Sequence, residues 1–372
     1  MYRSHKYAYV QNQGYTLLNN RPLKRIIARA HIVCSSLIIV FMCSSCYLMK
    51  QGANLIKYQV RSKSIDRLVR DSTLSKEKRT FFDEVARIRS YAFDSIGLER
   101  NKNYTKFVSV DSSYLMAMLS AADSASFDTK KWCYPFMGCF PLRSYYSIED
   151  AQRAGRRLVK KGYEINIDKI DGFSTLGFFS DPLYSFMIDR SIFSTAQYIF
   201  HELTHVTVYY KNVQFSEELA SFIGQEGALS YLRTYYGSDS PEYRQAEQFI
   251  VDQKTYLQLL RDLYTALGKV YEQNIPRHEK LKRKNEIITT FKKRLIDEYD
   301  SIFTTEIYRG VETLSFNNAF LAVRMTYSLN LELFDKFYRQ RGNNLREVID
   351  FAVGLKKQKR DPNELLEEAV GK

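Results

Sequence analysis

"YIFHELTHVTVYYKNVQFSEELASFIG", residues 198–224, is the stretch on which the fold turns. The chain has only five histidines, and two of them, His201 and His205, stand four apart with Glu202 beside the first. On an α-helix, residues four apart lie on one face, so the two imidazoles can aim at one point. Glu202 is turned about 100° around the axis and reaches a water at an ion rather than the ion itself. That is the division of labour in zinc-assisted hydrolysis: two histidines hold the metal and a neighbouring carboxylate takes a proton from water. Composition alone would produce HExxH about 0.004 times in such a chain. Apolar neighbours before it (Tyr198, Ile199, Phe200) and after it (Val206, Val208) suit a helix buried on most sides. The plainer alternative is a core histidine pair, which would need polar partners of its own. A catalytic zinc also takes a third protein ligand and keeps one position open. "FSEELASF" offers Glu217 and Glu218 at the start of the next helix, and the short turn at "YYKNV" lets that helix fold back.

The rest of the chain reads as mainly helical with a few strands. Residues 47–100 carry apolar positions at three and four spacing, and "KFVSVD" reads as a strand. Pro135, Gly138 and Pro141 mark 130–146 as a loop. "SIEDAQRAGRRLVKKG" predicts a helix capped by Ser147, and the alternating "YEINIDKI" a strand. "DGFSTLGFFSDP" is bounded by Gly and Pro as a turn or edge segment. Helices are expected over about 192–209 and 216–236. From Pro241 to about Tyr308 two long charged helices meet near Pro276, a hairpin whose charge is read as a solvated face. The C-terminal part is again helical. No phosphate-binding glycine loop, "GxSxG" elbow or internal repeat is present.

The formal charge of +13 raises nucleic acid or an anionic membrane as partners. Six of the basic residues, with no acid, fall in residues 1–45, and no nucleic-acid motif occurs, so nucleic acid is not expected. The N-terminus has the layout of an export signal: basic "RPLKRIIARAH", apolar "IVCSSLIIVFM", then "CSSC". It is similar to a bacterial lipoprotein signal with Cys46 as the lipidated residue, although Cys43 stands where an aliphatic residue is usual. The alternative is an uncleaved anchor, since Ala30–Met49 carries no Lys, Arg, Asp or Glu and is about long enough to span a bilayer. Either way the remainder lies outside the cytoplasm, facing the periplasm and anchored to a membrane, the outer one by preference. There Cys133 and Cys139 could close a disulfide or stay as two buried thiols.

A wider set of blocks carries a family resemblance. "HELTH" followed by "FSEELASF" is similar to the gluzincin pattern, in which the second helix supplies a glutamate ligand; aligned so, the ligand is Glu217. "KQGANLIKYQ", "PFMGCFPLRSYY", "FSTLGFFSDPL", "IFHELTH", "FSEELASF" and "NNAFLAVRMTY" together resemble a bacterial family of predicted aminopeptidases, in order and spacing. The resemblance implies an exported zinc metallopeptidase with one Zn²⁺ per chain and a peptide substrate. Ser216 replaces the family's usual Asn, "SDP" at 180–182 replaces "DDP", and Ser221 stands where thermolysin-like gluzincins have a histidine-orienting Asp. The shared late block puts forward Tyr327 as an oxyanion donor and Asn318 as a binder of substrate backbone. By analogy with zinc peptidases, "STLGFF" could be a substrate-pairing edge strand with Gly177 allowing close approach, or simply a turn. Asp181, Glu218 and Glu226 are the candidates for capturing a substrate N-terminus.

The expected fold is α+β, mainly helical: a zincin-like core with a long inserted helical hairpin. The expected layout is a signal over 1–46, an N-terminal helical segment and core over 47–240, the hairpin over 241–308 and a C-terminal helical part over 309–372. The expected activity is zinc-dependent peptide hydrolysis, by preference aminopeptidase, with Glu202 as general base. The competing readings are a zinc hydrolase of another amide and an inactive metal-binding envelope lipoprotein.

Overall fold

A computed structural model describes residues 47, 49–134, 138–171, 180–326 and 331–371. By its internal contacts the chain divides into a small unit, Met1–Asn54 with Tyr134–Gly138, and a large one, Leu55–Cys133 with Cys139–Lys372. In the small unit Tyr47 stacks on Tyr134 with ring centroids 5.8 Å apart.

The fold is α+β and mainly helical. Among the described residues the strands are β1 (Lys63–Ser64), β2 (Lys106–Val108), β3 (Met116–Asp123), β4 (Trp132–Tyr134), β5 (Gly138–Phe140), β6 (Leu142–Tyr145), β7 (Tyr163–Ile170) and β8 (Leu183–Tyr184). The principal helices are α1 (Lys76–Tyr91), α2 (Ile148–Val159), α3 (Ile192–Thr207), α4 (Val213–Tyr236), α5 (Pro241–Tyr271), α6 (Arg277–Asp297), α7 (Asn318–Thr326), α8 (Glu332–Gln340), α9 (Leu345–Leu355) and α10 (Pro362–Ala369). The loop expected over 130–146 is instead strand-rich. Pro141 separates β5 from β6, and Cys133 and Cys139 are bonded to each other across β4 and β5.

One sheet has the order β6-β3-β7, antiparallel throughout. Its two faces follow from the two-residue period of strands. Leu119 and Ile165 point at α2, where Gly155 lets the helix come close: a Cβ there would lie 2.6 Å from Ile165 Cδ1. Ser120, the next residue, donates to Ala319 O of α7 at 3.3 Å on the other side. The polar alternates of β7 are therefore covered by protein. Arg324 clamps Asp168 with two hydrogen bonds of 2.9 and 3.0 Å, and Glu164 accepts from Asn318 N at 2.8 Å. A second sheet has the order β1-β2-β8, and β8 runs parallel to β2. That long-range pairing brings residues 103–108 beside 181–184.

The main core gathers apolar faces of α1, α3, α4, α8 and α9 with the first half of α5. The second half of α5 (Leu259, Leu260, Leu263, Leu267) packs into a separate core with Leu295, Phe316 and Phe320. The two long helices meet at Pro276, which directly precedes α6. Most charges of α6 are exposed, as a solvated face requires. Lys284 is the exception: it is buried, and its ammonium donates to both oxygens of Glu164 at 2.6 Å and to Ser124 O at 3.0 Å.

Asp252 on α5 has no exposed surface, and its carboxylate accepts four hydrogen bonds, from the backbone and hydroxyl groups of Thr304 and Thr305. Burial pushes its pKa up, but those donors outweigh it and hold the group below the usual aspartate value. A depressed pKa in the fold contributes stability above the unfolded pKa, and that contribution is lost as pH falls through the folded value. Asp252→Ala is expected to lower stability at neutral pH by about 3 kcal/mol or more, because buried donors lose their acceptor. Urea unfolding should show this gap shrinking below about pH 4; a gap independent of pH would refute the assignment.

Candidate metal centre

Helix α3 begins at Ser191, whose hydroxyl accepts from Ser194 N at 3.1 Å. Ile199, Phe200 and Leu203 are wholly buried and fix the helix in the core. This leaves His201 and His205 on the face turned toward α4. The chain reverses through residues 208–212, where Ser216 holds Tyr210 by two hydrogen bonds. Its hydroxyl accepts from Tyr210 N at 2.8 Å and donates to Tyr210 O at 3.2 Å. Asn212 caps α4 by accepting from Phe215 N at 3.1 Å. Ser216, where the family resemblance expects Asn, therefore has a local duty in the turn. Gly224 and Gly227 let α4 lie close on α3: a Cβ on Gly224 would stand 2.8 Å from Gln197 O, and one on Gly227 2.9 Å from Phe200 Cδ2.

The consequence is a convergence of three ligand atoms. His201 Nε2 and His205 Nε2 are 3.1 Å apart, and Glu217 places its two oxygens 3.6 and 3.5 Å from them. All three donors fall within 4.8 Å of one another. Three tetrahedral ligands about 2.0–2.1 Å from one zinc ion stand about 3.3 Å apart, so this spacing fits zinc. The two-nitrogen, one-oxygen donor set fits as well. Glu217, not Glu218, meets the imidazoles; Glu218 accepts from Gln214 Nε2 at 3.1 Å on its own helix.

Electrostatics agree with the geometry. Burial pushes Glu217 up, but its contacts with His201 and then His205 outweigh this and hold it at about 2. Burial pushes His201 down, and Glu217 with Glu202 more than reverses it. Ser221 approaches His201 Nδ1 at 3.5 Å, so the serine in the place of an orienting aspartate is the group facing that nitrogen. His205 Nδ1 is buried and meets no partner among the described residues. Glu202 is buried too, and its Oε2 has no hydrogen-bond partner among the described residues. Burial raises the Glu202 pKa; the two imidazoles oppose this, while Glu217 and Asp181 reinforce it.

A cavity of about 400 Å³ opens beside His201, lined by Tyr198, Gln197, Ser194, Arg190 and Asp171. Arg190 and Asp171 form an ion pair at its edge. Tyr198, four residues before Glu202, shares its helix face, and its ring lies 5.9 Å from that of Tyr104. Sequence reasoning misses Tyr104: no local pattern separates it from the other 27 tyrosines, and only the β2–β8 pairing brings it here.

Asn318 requires a correction. It is fully buried, its Nδ2 donates to Asp123 O and Ser126 O at 2.9 and 2.8 Å, and its Oδ1 accepts from Tyr271 OH at 2.8 Å. With both amide hydrogens engaged, its oxygen bonded to Tyr271 and no surface exposed, it ties α7 to the end of β3 and to α5 and does not face a substrate. Glu226 sits among Asp335, Lys254, Arg233 and Arg339. Tyr327, Gly177 and Cys46 lie outside the described residues.

No curated protein and no solved structure matches the chain. A family model with the description "Putative aminopeptidase" does match, over residues 46–365. Since that match spans most of the 372 residues, the chain belongs to this aminopeptidase family.

Proposed function

We propose that this chain is a zinc-dependent peptidase with a gluzincin-like ligand set, His201, His205 and Glu217, in a zincin-like core. The observation that carries it is the meeting of those three donors beside a buried carboxylate with an unpartnered oxygen. The family membership independently supports peptide hydrolysis. Bound zinc would supply Lewis-acid polarisation of a water and of the scissile carbonyl.

The residues of the chain do the rest. Glu202 takes a proton from the attacking water at its free Oε2 and returns it to the leaving amine. Burial favours its protonated form, and a dication nearby offsets that preference, so the group can both accept and release a proton. Glu217 stays ionised at its depressed pKa and would hold the ion together with the two imidazoles. The cavity beside His201 gives a substrate access from one side. Tyr327 is proposed as the oxyanion donor on the family resemblance.

The proposal also places the catalytic part outside the inner membrane, tethered through a lipidated Cys46. The bonded Cys133 and Cys139 support an oxidising compartment. Among the described residues no helix is long and apolar enough to cross a membrane, and the alternative anchor falls almost wholly outside them.

The deciding experiment measures zinc per chain and peptide hydrolysis in the full chain and in His205→Ala. One zinc per chain in the parent, with metal and hydrolysis both lost in the variant, is the expected result. Chelation should abolish parent activity and added zinc restore it. Absence of stoichiometric metal from the parent would overturn the reading.

A further inference from the structure

Residues 1–45 hold six basic residues and no acid, so part of the +13 charge lies in the rest of the chain. On α6 such charge is balanced locally: Arg283, Lys293 and Arg294 pair with Glu279, Asp297 and Glu298 one turn away. One cluster is not balanced. Arg61, Lys63, Arg67 and Lys78 line a cavity of about 800 Å³, and among the described residues no acid lines it. None of these four side chains makes a hydrogen bond or an ion pair among the described residues. Asp71 lies within electrostatic reach of Lys63. Its carboxylate is engaged instead by Thr73, accepting from the N–H at 2.9 Å and the hydroxyl at 2.7 Å.

The cavity is built on fixed elements. β1 pairs with β2 so that Lys63 stands directly opposite Phe107, and Lys78 precedes Phe82 by one turn on the same face of α1. The two rings are buried and meet edge to face at 5.2 Å, and Leu68 and Leu74 pack against the same core. Lys63 and Lys78 therefore rise from an apolar floor, stems on the rings and ammonium groups toward water. Arg79 fastens the loop between Leu68 and Leu74, donating to Val69 O at 2.6 Å and Asp71 O at 3.2 Å. The apolar wall also continues onto the surface. Residues 55–61 are helical, and Tyr58 anchors one side of that turn, its ring 5.5 Å from Tyr146 and 6.0 Å from Tyr184. Ile56 and Val60, four apart on another side, are left 58% and 78% exposed, and Val60 lines the cavity. Exposed apolar surface beside unpaired cations marks an interaction site.

We infer that this cavity binds an anionic phospholipid of the membrane to which the chain is tethered. Arg61, Lys63, Arg67 and Lys78 receive the phosphate, and the first acyl carbons lie against Val60, Leu68 and Leu74. The volume is that of a small-ligand site, and Lys and Arg clusters close to a membrane attract anionic headgroups. A free phosphate would use the cations and leave the apolar wall in water, so the wall favours a lipid as the source. Cys46, the proposed lipidation residue, shortly precedes this segment in the chain. The source of the lipid rests on that proposed tether. Catalysis does not enter, because the cavity shares no lining residue with the one beside His201.

The test titrates the full chain, held in a neutral detergent, with phosphatidylglycerol, phosphatidylcholine and inorganic phosphate, and counts bound ligand by native mass spectrometry. The parent should bind phosphatidylglycerol at least about tenfold more tightly than phosphatidylcholine, and excess inorganic phosphate should not displace it. Lys63→Gln combined with Arg67→Gln should weaken phosphatidylglycerol about 30-fold, the worth of two cations at a membrane surface. Both side chains are exposed, so the fold should survive their loss. Lys160→Gln combined with Lys161→Gln removes the same charge from exposed positions after α2 and should change the affinity by no more than about twofold. Equal affinity for the two lipids, displacement by phosphate, parental affinity in the Lys63 and Arg67 variant, or equal loss in both double variants would overturn the proposal. The same spectra give the intact mass of the chain. Selective lipid binding by a chain with no acyl group on Cys46 would leave the lipid site standing and remove the tether instead.

Discussion

Glu202→Gln is expected to lower kcat by about 10³-fold or more while zinc stays at one per chain. The magnitude follows from the duty assigned to the group. A positioned proton acceptor contributes about 10²–10⁴ in rate, and glutamine keeps the size of the side chain but cannot take a proton. The separation of the two readouts matters more than the size of either. His201, His205 and Glu217 provide the three converging donors, and Glu202 lies outside that set, so its loss should leave metal affinity nearly unchanged. KM should also change little, because the substitution acts on the transition state rather than on ground-state binding. A variant that loses zinc along with activity would mean that Glu202 is a ligand or a structural support. A variant that keeps parental kcat would mean that another group handles the proton.

The centre of this site is legible in the amino-acid sequence because its chemistry is local. HELTH lies on one helix and FSEEL opens the next, so helical spacing and a short turn suffice to bring His201, His205 and Glu217 together. Strand β7 is legible for the same reason, from its alternation. What stays hidden depends on pairing across long stretches of chain. Tyr104 meets Asp181 because β8 pairs with β2 in parallel, a contact that no window of sequence contains. Asn318 looks like a binding residue in a shared block, and its role is set by Tyr271 and by the end of β3, 47 and 195 residues away. The strands over 132–145 are masked by Gly and Pro, whose turn signal outweighs the short pairings held by the Cys133–Cys139 bond. Lys284 shows the same limit: in sequence it is one charge among many on α6, and only Glu164 on β7 makes it a buried one.

Gly224→Val is expected to cost at least about 1–3 kcal/mol of stability and to weaken zinc binding about 10- to 100-fold. The first figure is the usual penalty for overpacking a tight contact, and the second is the usual effect of disturbing the groups that orient a ligand. The mechanism is steric. A Cβ at this position would stand 2.8 Å from the backbone oxygen of Gln197 and 3.3 Å from His201 Cβ. A backbone oxygen inside α3 cannot swing aside, so α4 must move away from α3. Glu217 lies two turns earlier on the same face of α4, and the displacement is therefore transmitted to the third ligand while both histidines keep their places on α3. Gly224→Ala should show the same pair of effects at smaller size. Gly268→Ala on α5 is the control, since a methyl there meets nothing within 4 Å. That change should raise stability by about 0.5–1 kcal/mol through helix propensity and leave zinc affinity untouched. Thermal unfolding of the metal-free chains, with competition against a chromophoric zinc chelator, separates the two consequences. Loss of stability with parental zinc affinity would show that Glu217 follows α3 independently of the helix contact, and the close approach at Gly224 would then serve packing alone.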